Sequence, residues 1–232
     1  MTELPVVTVL ILTYNRPVEV VQTIEALRKR LRYKGELKWH LADDGSPSGY
    51  VASIREQFPD LKFSLTKTDR EGCGANANKA MDFIKTPYIF FSEDDWYAFR
   101  DIPLDHAVEL MEFDQKIGMV RFSGLIDHEL ILIVDKARTE YGKIHHLVLD
   151  KRSPETYQYS SRPHLKHKRF HEAYGNYAEG LSIADTERAM AKRYRTMTGP
   201  LIAAMPEGIG FYFYHIGKGV TWKRTGFDAG GS

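Results

Sequence analysis

The hydrophobic positions of the first hundred residues follow two alternating patterns. Short unbroken apolar runs predict strands buried on both faces, and they cover residues 6–12, 37–42, 61–66 and 88–91. Between these runs apolar residues recur every three or four positions, as they do after Pro17, which predicts amphipathic helices. Strands that alternate with helices form right-handed crossovers and a mostly parallel sheet. The pattern therefore predicts an α/β fold with helices flanking a central sheet.

The pattern changes after about residue 100. The predicted elements are a strand at 118–124, a hairpin at 131–134 and 143–149, a strand at 156–160 and a helix at 185–195. They form a smaller mixed region of strands and loops. Because functional loops project from rigid sheets, we expect the loop-rich stretch 150–180 to form a lid over a binding site.

Composition limits the class of protein. A chain of 232 residues with 43% hydrophobic residues can bury one core, so we expect a single domain over 1–228 and a tail at 229–232. The 32 basic and 31 acidic residues give no strong long-range attraction to nucleic acid or anionic lipid. A lone Cys73 excludes an internal disulfide framework. The sequence shows no transmembrane segment and no signal peptide, which predicts a cytoplasmic protein.

Acidic residues follow the ends of the predicted strands, where parallel sheets bind their ligands. Glu93, Asp94 and Asp95 come directly after the strand at 88–91. Their mutual repulsion favours a bound cation, and Mg²⁺ or Mn²⁺ held there could bridge to a diphosphate. The alternative is an ordinary acidic turn or helix cap.

Three weaker signals accompany this triplet. Asp43 and Asp44 follow the second strand and could contact a nucleobase or ribose, although Asp-Gly-Ser is also common turn chemistry. Gly72 and Gly74 could serve a tight turn or let the backbone approach a phosphate. His215 follows an aromatic strand; a histidine there is usually structural, but it could complete the coordination of Mn²⁺.

Four segments in this order and spacing resemble the family 2 glycosyltransferases of GT-A fold. They are residues 9–16, residues 42–46, the loop 72–78 and residues 88–95. The resemblance is specific over about residues 6–96. It implies a Rossmann-like, mostly parallel central sheet with a smaller mixed acceptor-side region. Residues 1–100 would form the half that binds a nucleotide sugar, and residues 101–228 the half that binds the acceptor.

The resemblance also implies roles for individual residues. The nucleotide-sugar site would comprise Thr13, Tyr14, Asn15, Arg16, Asp43, Asp44, Gly72, Gly74, Asn78, Glu93 and Asp94. Asp44 is preferred over Asp43 for the base, and Glu93 replaces the customary aspartate of the family. Asp95 and His215 would hold Mn²⁺ or Mg²⁺.

A general base is expected at the start of the helix at 185–195. Asp185 resembles the family's catalytic carboxylate, although Ala184 stands where an acidic residue is common. Glu179 and Glu187 are the reserves, and Asp185 could instead be a helix cap. The implied reaction is an inverting displacement that moves a sugar, UDP-linked by preference, to a hydroxyl group.

Other interpretations stay open at this point. A sugar-nucleotide nucleotidyltransferase also combines an α/β sheet with carboxylate-bound Mg²⁺, and an inactive module would bind nucleotide sugar without turnover. The acceptor could be a glycan, a lipid-linked carrier or a hydroxylated DNA base. The basic segment 162–169 could meet an anionic acceptor such as nucleic acid, but a solvated basic loop is the favoured interpretation.

Overall fold

The computed structural model describes residues 4–122, 133–138, 145–149, 151–152, 158–205 and 212–217, with the backbone alone for 133–138 and 145–147. The predicted tail at 229–232 lies outside these residues. No helix within the described ranges is long and apolar enough to cross a membrane.

Thirteen strands and six helices make up the described fold. The strands are β1 Val7–Thr13, β2 Leu31–Arg32, β3 Leu37–Asp43, β4 Phe63–Lys67, β5 Tyr88–Glu93, β6 Trp96–Ala98, β7 Ile102–Pro103, β8 Ile117–Arg121, β9 Ile133–Arg138, β10 His145–Leu149, β11 His164–His167, β12 Leu201–Ala204 and β13 Phe213–His215. The helices are α1 Pro17–Arg30, α2 Tyr50–Gln57, α3 Cys73–Phe83, α4 Leu104–Phe113, α5 Arg169–Tyr174 and α6 Ile183–Thr196.

Nine of these strands form one central sheet in the order β4-β3-β1-β5-β11-β8-β12-β10-β9. The strands β4, β3, β1 and β5 are parallel neighbours, whereas β11 runs antiparallel to both β5 and β8. Because β10 is antiparallel to both β12 and β9, only β11 and β10 of this described sheet run against the others. The predicted mostly parallel α/β fold is confirmed.

The strand β1 explains how the core divides into two layers. All seven of its residues are buried, and alternate side chains point to opposite faces of the sheet. Val9 and Ile11 pack in the layer beneath α1, α2 and α4, while Leu10 packs in the layer beneath α3, α5 and α6. An unbroken apolar run suits such a strand, because both of its faces are covered.

The second half agrees with the sequence only in part. The predicted hairpin is present, since β9 and β10 pair antiparallel, with His145 opposite Arg138. The strand predicted from Gly118 corresponds to β8, which ends at Arg121, and residues 123–124 lie outside the described part. Residues 158–160, the described part of another predicted strand, are not in a strand. The helix α6 begins two residues before Asp185, because Ser182 is its cap.

The basic segment 162–169 is not a solvated loop, and that prediction is wrong. Its middle forms β11, between β5 and β8 in the sheet, where His164 and Lys166 have no exposed surface. Arg169 donates hydrogen bonds to the carbonyls of Met111 and Ile117. Charge density along the chain gave no sign of this, because a lysine can be buried when a local acceptor satisfies its amine. The segment therefore does not present the continuous exposed basic surface that an anionic acceptor would need.

Candidate active site

The carboxyl ends of β1, β3 and β5 meet at one edge of the sheet. Thr13 lies opposite Asp43 in the β1–β3 pair, and Leu12 lies opposite Glu93 in the β1–β5 pair. Three of the segments selected from the sequence therefore lie side by side. This edge is where ligands bind in sheets of this type.

Asp94 is buried and held by the loop that follows β1. Its carboxylate accepts hydrogen bonds from the Thr13 hydroxyl at 2.8 Å, the Tyr14 backbone N–H at 3.1 Å and the Arg16 guanidinium at 3.0 Å. Burial raises the pKa of Asp94 to about 6, although the Thr13 hydrogen bond and the charge of Arg16 oppose the rise. The first loop and the acidic segment thus form one polar unit.

Asp95 links this unit to the far end of the chain. Its Oδ2 atom lies 3.1 Å from Nε2 of His215 and also contacts Arg16. Pairing of β6 with β13 sets His215 opposite Trp96, and the Ile216 N–H donates to the Asp95 carbonyl at 2.8 Å. A Cβ atom at Gly217 would lie 2.5 Å from Oδ2 of Asp95, so a larger residue here would displace the Asp95 carboxylate.

The residues present fit a divalent ion that also takes ligands from a substrate. Nε2 of His215 faces the Asp95 carboxylate, and Oδ1 of Asp95 is buried without a hydrogen-bond partner. The part of the chain that the structure describes contains no group of three or more His, Cys, Asp or Glu that could hold a metal alone. Mg²⁺ and Mn²⁺ commonly use one or two protein ligands together with phosphate and water, so Asp95 and His215 meet that requirement.

Asp43 and Asp44 have different environments. Asp43 has no exposed surface; its Oδ1 accepts from the Ser46 N–H at 3.0 Å, and its Oδ2, without a hydrogen bond, lies 3.6 Å from Nζ of Lys67. Asp44 instead uses both oxygens to hold the next loop, since it accepts from Thr68, from the Glu71 N–H and from the Gly72 N–H. Of the two, Asp43 is the one with a carboxylate oxygen that accepts no hydrogen bond, and that oxygen is paired with Lys67.

The entrance beside Asp43 carries an aromatic ring and a guanidinium. Tyr14 is 37% exposed, and the Arg70 guanidinium lies 5.0 Å from the centre of its ring. The neighbouring Asn15 has a positive φ of 48°, and its N–H donates to Ser46 Oγ at 2.9 Å. A ring and a planar cation in this arrangement provide stacking surfaces at the mouth of the site.

Gly74 and Asn78 hold the segment that leads into α6. A Cβ atom at Gly74 would lie 2.2 Å from the carbonyl oxygen of Ala178, so the missing side chain permits this close contact. The Asn78 side chain accepts from the Tyr177 N–H at 2.9 Å and donates to the Tyr177 carbonyl and to Glu179. Gly72 differs from both, because its φ of 90° is a backbone conformation that favours glycine.

A small cavity lies between α3, α6 and the end of β5. Its lining includes Glu93, Glu187, Ser161, Tyr159 and Tyr177. Burial, together with the nearby Asp95 and Glu187 carboxylates, raises the pKa of Glu93 to about 8. Glu187 accepts hydrogen bonds from the N–H and hydroxyl of Ser161, whose hydroxyl lies 3.3 Å from Glu93. The cavity therefore brings two acidic side chains together through the hydroxyl group of Ser161.

The three candidate bases lie in different surroundings. Asp185 accepts from the Ser182 hydroxyl at 2.6 Å and pairs with Arg188 at 2.7 Å, which is a capping arrangement at the start of α6. Glu179 is exposed and accepts from Asn78. Glu187 is the one of the three that lines the cavity.

Sequence reasoning missed several residues of this site. Ser161, Tyr159 and Tyr177 carry no local signal, because only the folded chain brings them to the strand ends. Gly217 could have been found from the sequence, because it lies two residues after the candidate ligand His215. Arg70 lies in a turn between β4 and α3 and had none.

The comparisons with known proteins agree with this architecture. The profile described as glycosyl transferase family 2 matches residues 8–174, which is more than half of the chain. The chain therefore belongs to glycosyl transferase family 2, a family of glycosyltransferase enzymes. No curated protein matches the chain.

Solved structures of similar fold cover most of this chain. TarS 1-349 from S. aureus superposes with a TM-score of 0.64 at 16% identity, covering 90% of this chain and 60% of that one. The mannosyltransferase PcManGT from Pyrobaculum calidifontis, solved with GDP-Man and Mn²⁺, gives a TM-score of 0.58 at 18% identity, covering 88% of this chain and 57% of that one. At these identities the likeness shows the fold, which is that of GT-A glycosyltransferases. The chain spans no more than 60% of the length of either protein.

Proposed function

We propose that the chain transfers a sugar from a nucleoside diphosphate donor, UDP-linked by preference, to a hydroxyl acceptor, with Mn²⁺ or Mg²⁺ held by Asp95 and His215. The observation that carries this proposal is the buried Asp94–Asp95 pair at the end of β5, contacted by Arg16 and His215. Two proteins of similar fold support this class of donor, because TarS 1-349 was solved with UDP-GlcNAc and PcManGT with GDP-Man and Mn²⁺.

The donor nucleotide would lie against the loop after β1. Tyr14 and Arg70 offer stacking surfaces for the base. Asp43 would reach a base or ribose only if the ligand displaced Lys67 from its buried Oδ2 atom. We propose that Asp44, Gly74 and Asn78 act through the loops that they hold, because their contacts are made within the protein. A divalent ion, when bound, would neutralise charge that develops on the leaving diphosphate.

The general base is proposed to be a carboxylate of α6. Asp185 remains the choice implied by the family motif, and its contacts with Ser182 and Arg188 support a capping role as the alternative. Glu187 is better placed for the reaction, because it shares the cavity with Glu93. We therefore favour Glu187 as the group that accepts the proton of the acceptor hydroxyl in an inverting displacement.

The first test is a donor screen. The protein is incubated with UDP-GlcNAc, UDP-glucose or GDP-mannose, with Mn²⁺ or with chelator, and the products are measured by mass spectrometry. We expect nucleoside diphosphate release from at least one donor and its loss in chelator. Pyrophosphate formation from a nucleoside triphosphate and a sugar phosphate would instead identify a nucleotidyltransferase. Binding without any release would identify an inactive module.

A further inference from the structure

Arg16 bridges the two buried carboxylates that follow β5. One nitrogen of its guanidinium, Nη1, lies 3.0 Å from Oδ1 of Asp94 and also contacts Oδ2 of Asp95. Only 4% of each aspartate side chain is exposed, whereas 42% of the Arg16 side chain is exposed. The guanidinium therefore reaches the carboxylates from the open side of the site.

The Arg16 contact and the proposed metal site share one oxygen atom. Oδ2 of Asp95 is 3.1 Å from Nε2 of His215, so an ion bound by both residues would lie beside Oδ2. Arg16 contacts this same oxygen. A guanidinium and a divalent cation repel each other strongly at such short range, because little water screens them in a buried site. Arg16 and the ion therefore compete for Asp95.

Asp94 keeps its position without Arg16. Its Oδ2 atom accepts hydrogen bonds from the Thr13 hydroxyl at 2.8 Å and from the Tyr14 N–H at 3.1 Å. Its backbone carbonyl accepts from the Thr23 hydroxyl at 2.8 Å. None of these three bonds involves the guanidinium, so the turn after β5 stays held if the guanidinium moves. What Arg16 supplies to the two carboxylates is mainly positive charge.

We propose that Arg16 is an exchangeable counter-ion, whose guanidinium neutralises Asp95 until a divalent ion replaces it and then binds the diphosphate of the donor. A guanidinium suits that second role, because it can donate two parallel hydrogen bonds to phosphate oxygens. The donor would enter on the open side of the site, where the Arg16 side chain is exposed. The proposal rests on the proposed function, and it makes Arg16 the residue that couples metal binding to nucleotide binding.

The test measures each ligand with and without the other. Electron paramagnetic resonance measures the affinity for Mn²⁺ alone, and calorimetry measures the affinity for UDP and for GDP at saturating Mn²⁺ and in chelator. In Arg16→Gln we expect Mn²⁺ alone to bind at least about fivefold more tightly, because its competitor is gone. The nucleoside diphosphate that the wild type binds should bind about ten- to a hundredfold more weakly at saturating Mn²⁺, the effect of lost hydrogen bonds between charged groups. In chelator the loss should be about twofold or less, since Arg16 of the wild type is then engaged by Asp95.

Arg16→Lys separates charge from geometry. It keeps the positive charge beside Asp94 and Asp95 but cannot donate two parallel hydrogen bonds to a phosphate. We expect its affinity for Mn²⁺ alone to stay within about threefold of the wild type, and its affinity for the nucleoside diphosphate at saturating Mn²⁺ to fall about three- to tenfold. If Arg16→Gln fails to fold, this variant decides the proposal, which full nucleotide affinity would then overturn.

Arg28→Gln is the matched control. Arg28 belongs to α1, the helix that begins directly after Arg16, and pairs with Asp60 at the surface. Its substitution should leave the affinities for Mn²⁺ and for nucleotide unchanged. The proposal is overturned if Arg16→Gln binds Mn²⁺ alone no more tightly than the wild type, or if its loss of nucleotide affinity is absent or is the same with Mn²⁺ and with chelator. Failure of the wild type to bind either nucleoside diphosphate would instead contradict the proposed function.

Discussion

Two pairs of carboxylates lie at the same edge of the sheet in different surroundings. Asp94 and Asp95 contact the Arg16 guanidinium, and Asp95 also meets His215. Glu93 and Glu187 line a small cavity, and the Ser161 hydroxyl lies between them. The first pair is built to hold positive charge, as a metal–diphosphate complex requires. The second is suited to neutral hydroxyl groups, because burial and the neighbouring carboxylates raise the pKa of Glu93 to about 8 and so favour its neutral form.

The largest expected effect is a loss of catalytic rate on substitution of Glu187, which lines the cavity with Glu93. Glu187→Gln should lower the rate of nucleoside diphosphate release by about a hundredfold to ten-thousandfold, as removal of a general base does. Its affinity for UDP should change little, because the residue is not among the contacts of Asp94 and Asp95. Steady-state kinetics with the donor found in the screen, together with calorimetry, measure both quantities.

Asp185→Asn and Glu179→Gln are the controls for that experiment. We expect each to lower the rate by less than tenfold, since Asp185 is engaged by Ser182 and Arg188, and Glu179 by Asn78. A loss of a hundredfold or more in Asp185→Asn, with near-normal turnover in Glu187→Gln, would return the role of base to the residue implied by the family motif.

The second effect concerns the pair beside Arg16. Asp95→Asn should weaken Mn²⁺-dependent binding of UDP or GDP by at least the 10- to 100-fold known for partners of metal ligands. Glu93→Gln is the matched variant, and it should affect the nucleotide sugar more than the nucleotide. Calorimetry with and without chelator tests both. If both variants lose the same affinity for nucleotide and for nucleotide sugar, the two carboxylate pairs do not bind separate parts of the donor.

Two glycine-to-alanine substitutions also compare the two regions, because each adds a methyl group that collides with one of them. Gly217→Ala places a Cβ atom 2.5 Å from Asp95, and Gly74→Ala places one 2.2 Å from the Ala178 carbonyl oxygen. Overpacking of this kind costs about 1–3 kcal/mol. We expect Gly217→Ala to weaken Mn²⁺-dependent nucleotide binding severalfold, and Gly74→Ala to lower the melting temperature and the affinity for nucleotide sugar. Normal metal-dependent binding in Gly217→Ala would argue against an ion at Asp95.

The sequence predicted the arrangement at the ends of β1, β3 and β5 better than the cavity, for a physical reason. Thr13, Asp43 and Glu93 each follow a local apolar run, and the geometry of parallel strands brings such positions together. The cavity instead depends on contacts across long separations, such as the contact of Asn78 with Tyr177. No local pattern records those contacts.

Two other predictions, for Asp185 and for the basic segment 162–169, differ from the structure because of helix phase and strand burial. The expectation for Asp185 came from a motif at the start of a helix, but the face of α6 that meets the cavity carries Ile183, Thr186 and Glu187. Three- and four-residue spacing sets these side chains on one side and directs Asp185 away from it. For β11, alternation turns His164 and Lys166 to the same face, whereas the charges alone suggested solvent.

The smallest predicted effect tests how the stability of the chain responds to acid through one buried histidine of β3. His40 on β3 has no exposed surface, and burial lowers its pKa to about 4. The unfolded chain takes up this proton near pH 6.5 and the folded chain only near pH 4, so stability falls as the pH drops through that interval. His40→Gln, which cannot titrate, should lose about 4–8 °C less in melting temperature than the wild type between pH 7.5 and pH 5. Glu93 and Asp94, whose raised pKa values act in the opposite direction, are present in both proteins and cancel in the difference. Equal pH dependence in the two proteins would mean that His40 is already solvated or charged in the folded state.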